Sequence, residues 1–151
     1  MKQSSITEYN YFDTMARAQK GYGRLLEPIC RKWELTRNEL DVLLFLANNP
    51  GYDRAVDIVI HRGLSKSHVS LSVSNLEKRG LLQRREDPED RRTVHLSLIG
   101  SAPEIVQAGQ LAQKRFFSYL HQDVTQEQLQ LMLDFARKVS ENIKNIEEVI
   151  E

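Results

Sequence analysis

The most constraining feature of the sequence is a very short connection between two predicted helices. One helix is expected over about residues 54–62, with Gly63 after its last turn, and Ser65 is placed to cap a second helix that runs to about Arg79. Glycine is favoured just past a helix C-terminus, and serine is a strong N-cap residue. Two helices joined by only about three residues cross at a steep angle, so the segment predicts a helix-turn-helix.

A β-hairpin is predicted immediately after the second of these helices. Gly80 ends the helix, and the sequence LLQRREDPEDRRTVHLSL (81–98) then offers two strand-like runs around the tetrapeptide DPED. The second run alternates between apolar and polar residues, as a strand with one buried face does. Aspartate and proline both favour turns. A helix-turn-helix followed by such a hairpin is a winged helix, so the predicted fold class is mainly α with a small β-hairpin wing.

Further helices are predicted on both sides of this segment. Apolar residues recur at helical spacing over roughly the first 30 residues, and Thr36 with Glu39 has the pattern of a capping box. Two long helices finish the chain, and the last, which starts near Thr125, has apolar residues separated alternately by three and four positions. Such a narrow stripe is typical of a helix that packs along another helix. Either the N-terminal helix or a second subunit could supply that partner.

The composition narrows the possible classes of function. The 151 residues carry equal numbers of basic and acidic side chains, but residues 62–92 hold eight lysines and arginines against five acids, and residues 123–151 hold three against seven. The single cysteine, Cys30, allows no internal disulfide. No apolar run is long enough for a signal peptide or a membrane span, and no phosphate loop, nucleophile motif or metal motif is found. We therefore expect a cytoplasmic protein that is not an enzyme and uses no metal or cofactor.

The order of these elements resembles the MarR family of bacterial transcriptional regulators. The likeness extends over nearly the whole chain, and its most specific part is LEKRGLLQRREDPEDRRTVHLSL (76–98), which is similar to the family's wing and the helix before it. The resemblance implies a homodimer that binds a palindromic operator in double-stranded DNA, with an affinity tuned by a small-molecule effector, an oxidant or a metal. Three residues differ from the family's usual pattern: Arg62 and Ser72 replace apolar residues, and Leu71 replaces a polar or basic one.

The resemblance also divides the chain by role. Residues 35–100 would form the winged helix-turn-helix DNA-binding domain. Residues 1–34 and 101–151 would form a dimerisation region in which the N- and C-terminal helices of two subunits interlock, and the dimer would set the spacing of the operator half-sites. The apolar residues expected in that interface are Phe12, Met15, Met132, Val139, Ile143, Ile146 and Ile150.

The helix from Ser65 to Arg79 is the expected reader of DNA, as the recognition helix of the fold. The face opposite its apolar stripe is rich in serine. Short hydroxyl side chains let a helix approach closely and can bind phosphate or base edges, and Leu71 could contact a thymine methyl group. The residues predicted to face DNA are Ser65, Lys66, Ser67, His68, Ser70, Leu71, Ser74 and Asn75.

Five residues of the hairpin are also predicted to serve DNA binding. Arg84 and Arg85 lie on the ascending strand and suit phosphate contacts, whereas Arg91 and Arg92 follow the turn. A guanidinium group suits the narrow minor groove of A·T-rich DNA. By resemblance to the family's Asp-x-Arg signature, Asp90 would brace the tip and Arg92 would enter the groove. A competing interpretation is that these charges pair with acids of the same hairpin.

Other interpretations stay open from the sequence alone. A winged-helix protein–protein adaptor without DNA binding would suit the zero net charge and the apolar Leu71 among serines. Cys30 could sense oxidants, although a lone cysteine on an apolar stripe is more often a packing residue. The four scattered histidines lack metal-ligand spacing. No residue pattern selects a small-molecule ligand.

Overall fold

The structure is a computed structural model that describes residues 8–150, with side chains described for residues 11–146. Within these residues it contains six α-helices and one two-stranded antiparallel hairpin, which confirms the predicted fold class. The chain divides into two compact units, one that ends at Phe116 and one that begins at Phe117. In chain order the elements are α1 (Glu8–Lys32), α2 (Arg37–Asn48), α3 (Ala55–Arg62), α4 (Lys66–Lys78), β1 (Leu82–Glu86), β2 (Val94–Leu98), α5 (Ala102–Leu120) and α6 (Gln126–Ile150).

The predicted helix-turn-helix is formed by α3 and α4. Gly63 follows α3 with a φ of 69°, a left-handed conformation that favours glycine, and its N–H donates to the carbonyl of Val59 (3.1 Å). Two residues later, Ser65 caps α4 because its side-chain oxygen accepts a hydrogen bond from the N–H of His68 (3.2 Å). The tight connection predicted from these residues is therefore confirmed.

The core of the first unit places α4 against α2, α3 and the base of the hairpin. The predicted capping box opens α2: the N–H of Glu39 donates to Thr36 Oγ1 (3.2 Å), and the N–H of Thr36 donates to Glu39 Oε2 (2.8 Å). Burial of one leucine or isoleucine contributes about 1.5–3 kcal/mol, so a cluster of such residues holds α4 firmly. The largest fully buried side chains include Leu26, Leu40, Leu43, Ile58, Val69, Val73, Leu76, Leu82 and Ile105.

Two departures from the usual family pattern, Arg62 and Ser72, are explained by their contacts with the core or their position in it. Arg62 donates from its guanidinium group to Asp41 Oδ1 (3.0 Å), which also accepts from Arg37 Nε (3.1 Å). The side chain of Asp41 is only 9% exposed, so the two arginines neutralise a nearly buried charge. Ser72 is buried on the face of α4 that packs against the core.

The hairpin is attached to the helix-turn-helix through β2. β1 and β2 pair in register, with Leu82 opposite Leu98 at the base. The N–H of Leu96 donates to the carbonyl of Asp53 in the loop before α3 (2.7 Å). This backbone hydrogen bond fixes the wing to the loop between α2 and α3.

The junction between the hairpin and α5 brings two backbone segments into direct contact. Gly100 has a φ of 59°, and a Cβ atom added there would lie 2.4 Å from the carbonyl oxygen of Gly80 at the end of α4. Gly80 also has a positive φ of 67°, but a Cβ atom there would meet nothing within 4 Å. The start of α5 is therefore set directly against the end of the recognition helix.

We expect the substitution Gly100→Ala to lower the free energy of unfolding by more than about 2 kcal/mol, measured by chemical denaturation. A left-handed backbone costs a non-glycine residue about 1–2 kcal/mol, and the added carbon would also overlap a carbonyl oxygen. Gly80→Ala is the matched control, because it carries the backbone cost without the overlap. Equal losses in the two variants would contradict the close approach of the two segments.

The second unit contains the end of α5 and all of α6. Thr125 and Gln128 form a capping box: the N–H of Thr125 donates to Gln128 Oε1 (2.9 Å), and the N–H of Gln128 donates to Thr125 Oγ1 (3.2 Å). Within residues 8–150, no helix is both long enough and apolar enough to cross a bilayer. Several large apolar side chains of α6 are exposed in the single chain: Leu131, Met132, Leu133, Phe135, Ile143 and Ile146.

Candidate nucleic-acid interface

The exposed face of α4 and its N-cap carry six of the eight residues predicted to face DNA on this helix. Leu71 is 62% exposed and places apolar surface within an otherwise polar face. Val69 and Val73 lie on the buried side, so the polar side is turned away from the core. The N-terminal N–H groups of a helix carry partial positive charge and suit a phosphate. The six exposed residues are Ser65, Lys66, Ser67, His68, Ser70 and Leu71.

The other two predicted residues, Ser74 and Asn75, are half-buried and contact protein groups. Asn75 donates from Nδ2 to Oε1 of Glu39, a nearly buried residue of α2 (3.1 Å). The Ser74 hydroxyl accepts from the guanidinium group of Arg84 (3.1 Å), whose Nε lies 3.5 Å from the carboxylate of Glu77. These contacts hold α4 against α2 and β1. No local sequence pattern predicts these contacts, because the packed structure brings their partners together.

Three of the four predicted wing arginines are exposed and unpaired. Among the residues whose side chains are described, no carboxylate forms an ion pair with Arg85, Arg91 or Arg92. The fourth, Arg84, pairs with a residue of α4 and not with the hairpin. Among the described residues, the carboxylates of the hairpin therefore do not neutralise its arginines. An unpaired guanidinium group keeps five N–H donors for phosphates or base edges.

Two aspartates hold the tip of the wing. Asp87 Oδ1 accepts the N–H groups of Glu89 (2.8 Å) and Asp90 (3.1 Å). Asp90 Oδ1 accepts the N–H of Arg92 (3.1 Å), and its Oδ2 accepts the hydroxyl of Thr93 (3.0 Å). The backbone of Arg92 is therefore held by the carboxylate two residues before it, which is the geometry that a brace requires.

His95 joins this tip to the rest of the domain, a role that no sequence motif predicts. His95 Nδ1 lies 2.8 Å from Asp53 Oδ1, and His95 Nε2 lies 3.0 Å from Asp87 Oδ2. The hydrogen bonds to Asp53 and Asp87 raise the pKa of His95, and the hydrogen bond from His95 lowers the pKa of Asp87. Asp53 and His95 are 42 positions apart, so no local pattern pairs them.

The structure also gives evidence on whether Cys30 could sense oxidants and whether the protein could bind a metal ion. Cys30 is half-buried on α1, and burial raises the pKa of its thiol. A raised pKa leaves less of the reactive thiolate, so packing is favoured over oxidant sensing. In the described part of the chain, no group of three histidine, cysteine, aspartate or glutamate side chains could hold a metal ion.

The arrangement as a whole defines a winged helix-turn-helix DNA-binding protein. α4 presents a polar face of short side chains, and the braced hairpin presents unpaired arginines. An α-helix fits the major groove of DNA, and arginine at the end of a stiff arm suits a narrow minor groove.

Known proteins agree with this class. The family model described as MarR family matches residues 33–93, from the end of α1 through most of the wing. Over 118 residues the chain is 26% identical to the uncharacterized HTH-type transcriptional regulator YdgJ of Bacillus subtilis (strain 168), covering 78% of this chain and 70% of the relative.

Solved structures show the same fold. A MarR family transcriptional regulator from Silicibacter pomeroyi superimposes with a TM-score of 0.77 at 19% identity, covering 95% of this chain and 97% of that one. Staphylococcus aureus MarR, in complex with salicylate and kanamycin, superimposes with a TM-score of 0.72 at 17% identity, covering 93% and 95%.

Residues 33–93 match the MarR family of winged helix-turn-helix transcriptional regulators, and the chain is similar to a curated HTH-type transcriptional regulator and has the fold of a MarR family structure. The resemblance drawn from residues 76–98 is therefore confirmed. Because the family and the curated relative regulate transcription, the expectation of a DNA-binding regulator rather than an enzyme is confirmed at the level of the family.

Proposed function

We propose that this protein is a homodimeric, sequence-specific repressor that binds a palindromic operator in double-stranded DNA and is released by a small-molecule effector. The observation that carries the proposal is the braced tip with its unpaired arginines. Asp90 fixes the backbone of Arg92, while neither Arg91 nor Arg92 has a protein carboxylate as a partner among the described residues. A stiff, uncompensated cation is what minor-groove insertion requires.

In this proposal α4 enters the major groove while the wing reaches the adjacent minor groove. Lys66, Arg85 and the N-terminus of α4 contact phosphates, and Arg84 does so from its position beside Glu77. The exposed Leu71 contacts a thymine methyl group, since an apolar side chain gains little from phosphate or water. Asn75 positions α4 through Glu39 instead of reading a base.

Dimerisation is supported by exposed apolar side chains on α1, in the first unit, and on α6, in the second unit. On α1, Phe12 is 68% exposed and Met15 is 44% exposed. Among the described interface residues predicted on α6, Ile146 is the most exposed, at 56%. Met132 and Ile143 are also exposed, and Val139 is half-buried. The side chain of Ile150 lies outside the described residues. We propose that residues 1–34 and 101–151 bury these groups between two subunits, while residues 35–100 bind DNA.

Ligand control is supported by a cleft of about 380 Å³ beside α4 and the wing. Its lining consists mostly of valines, with one alanine, one leucine and Ser70, and it includes the cationic side chains of Lys66 and Arg84. An apolar cleft with two cations suits a small organic acid. Salicylate, which Staphylococcus aureus MarR binds, has this chemistry. A ligand here would contact both DNA-binding elements, so its binding would oppose that of DNA.

The test is selection of binding sites from random duplex DNA, followed by affinity measurements at several salt concentrations. A dimer that makes at least six phosphate contacts should lose about 10³-fold in affinity between about 50 and 200 mM salt. A palindromic selected site would support the dimer. A protein–protein adaptor, the alternative that the exposed Leu71 favours, would bind duplex DNA weakly at every salt concentration.

A further inference from the structure

The side chain of His95 lies between two carboxylates that belong to different parts of the domain. Asp53 comes from the loop between α2 and α3, and Asp87 comes from the wing tip just after β1. The imidazole is 25% exposed, so both contacts are partly shielded from water. We call these three side chains the wing clamp.

Both contacts of the wing clamp can be hydrogen bonds only when the ring is protonated at both nitrogens. A neutral imidazole has one N–H, and its other nitrogen then presents a lone pair to a carboxylate oxygen. The hydrogen bond to Asp53 contributes most to raising the pKa of His95, and the hydrogen bond to Asp87 contributes next. Partial burial opposes both. The geometry and the charges therefore favour the same form, the imidazolium.

The clamp is continuous with the brace that holds the wing arginine. Asp87, which binds His95, also accepts the N–H of Asp90 (3.1 Å), and the carboxylate of Asp90 accepts the N–H of Arg92 (3.1 Å). On the other side, the carbonyl of Asp53 accepts the N–H of the residue that follows His95. Hydrogen bonds thus run from the helix-turn-helix to the backbone of Arg92.

Other charged residues lie on β1, α2 and α3, the elements that pack against β2. Arg85 is the cross-strand neighbour of His95 and disfavours its protonation. Arg54 and Asp57 at the start of α3 bind each other (2.9 Å). On α2, Glu39 is held by Asn75, and Asp41 by two arginines. The two carboxylates in direct contact therefore dominate the electrostatics at the ring.

We infer that His95 is a positioning residue whose protonation locks the wing to the helix-turn-helix, so that DNA affinity falls as the pH rises and the clamp opens. The inference rests on the proposed function, because it assumes that the wing contacts DNA. The clamp is complete below the ordinary pKa of histidine, about 6.5, and is lost as the pH rises through the higher pKa of the folded protein. Because the pKa of Asp87 is lowered, the contact between Asp87 and His95 persists in acid to below the ordinary range of aspartate.

The first arm of the test needs no DNA. An NMR titration of the histidine ring protons in the full-length protein should give His95 a pKa above the ordinary value, and Asp53→Asn should bring it down while preserving the shape of the side chain. An ordinary pKa for His95 in the wild-type protein would overturn the clamp.

The second arm measures affinity for the selected operator from about pH 6 to about pH 9. The wild-type protein should lose about three- to tenfold in affinity as the clamped fraction falls, and His95→Gln should show weak binding with little pH dependence. His68→Gln is the matched control: it replaces a histidine of the proposed DNA face that lies outside the clamp, and the wild-type pH dependence should persist in it. If His95→Gln kept the wild-type pH dependence, the role of His95 would be refuted.

The two arms separate this inference from the proposed function. A raised pKa of His95 with no salt-dependent DNA binding at any pH would overturn the proposed function and the coupling to DNA. Salt-dependent binding with the same pH profile in the wild-type protein, His95→Gln and Asp53→Asn would leave the proposed function standing and overturn the inference alone.

Discussion

Arg92→Ala is expected to weaken operator binding by about 1–3 kcal/mol, or roughly 5- to 150-fold, and to leave the dimer intact. The backbone at Arg92 is held by Asp90, and its guanidinium group has no carboxylate partner among the described residues, so alanine removes a DNA contact without breaking a protein contact. Fluorescence anisotropy with the selected operator measures the loss. Because each dimer carries two wings, we expect a value towards the upper end of this range.

The control for this prediction is Arg85→Ala, which removes an equally exposed and unpaired arginine from β1. Loss of a phosphate contact at Arg85 should weaken binding to all duplexes alike and reduce the salt dependence of binding. Loss of the Arg92 contact should also reduce the preference for A·T pairs beneath the wing. Unchanged affinity in Arg92→Ala, or identical effects of both substitutions on A·T- and G·C-rich sites, would rule out the minor-groove role.

Loss of the last part of α6 is expected to abolish the dimer. A chain that ends after Lys138 lacks Val139, Ile143 and Ile146, and the last two are about half exposed in the single chain. Full burial of one such side chain contributes about 1.5–3 kcal/mol, and about half of each is already buried, so two on each of two subunits would contribute about 3–6 kcal/mol, or about 10²- to 10⁴-fold in the dimer dissociation constant. Sedimentation velocity should show monomers or unfolded chains.

A point variant distinguishes loss of the interface from loss of folding. Ile143→Glu combined with Ile146→Glu keeps the chain length and should yield a folded monomer with weak operator binding. Asn142→Glu combined with Asn145→Glu adds the same charge on neighbouring exposed positions and should leave the dimer in place. A stable dimer of the truncated chain would contradict the proposed interface.

Local signals explain why so much of the fold was predictable. Gly63 and Ser65 define their turn through their own backbone and side chain, and Thr36 and Glu39 form their capping box within a single turn of helix. The brace between Asp90 and Arg92, which the resemblance to the MarR family implied, likewise spans two residues. Such contacts depend on neighbours in the sequence, so the residue pattern is enough to identify them.

The contacts that the sequence did not reveal connect distant segments. Asn75 was expected to face DNA, but its partner, Glu39, lies 36 positions earlier on another helix. The pairing of His95 with Asp53 depends on how β2 lies against the loop before α3. In each case the residue type suits several roles, and only the packing of α2, α3 and the hairpin selects one. The positions of these side chains therefore required the structure.

The contact between Gly100 and Gly80 has a consequence for how a signal could travel through the domain. The start of α5 touches the end of the recognition helix through main-chain atoms, with no side chain between them. A displacement of α5 along this line would move α4 directly, since two stiff backbones in contact have no rotamer to absorb the change. The transmission would thus survive changes of side chain around the junction, provided that Gly100 is kept.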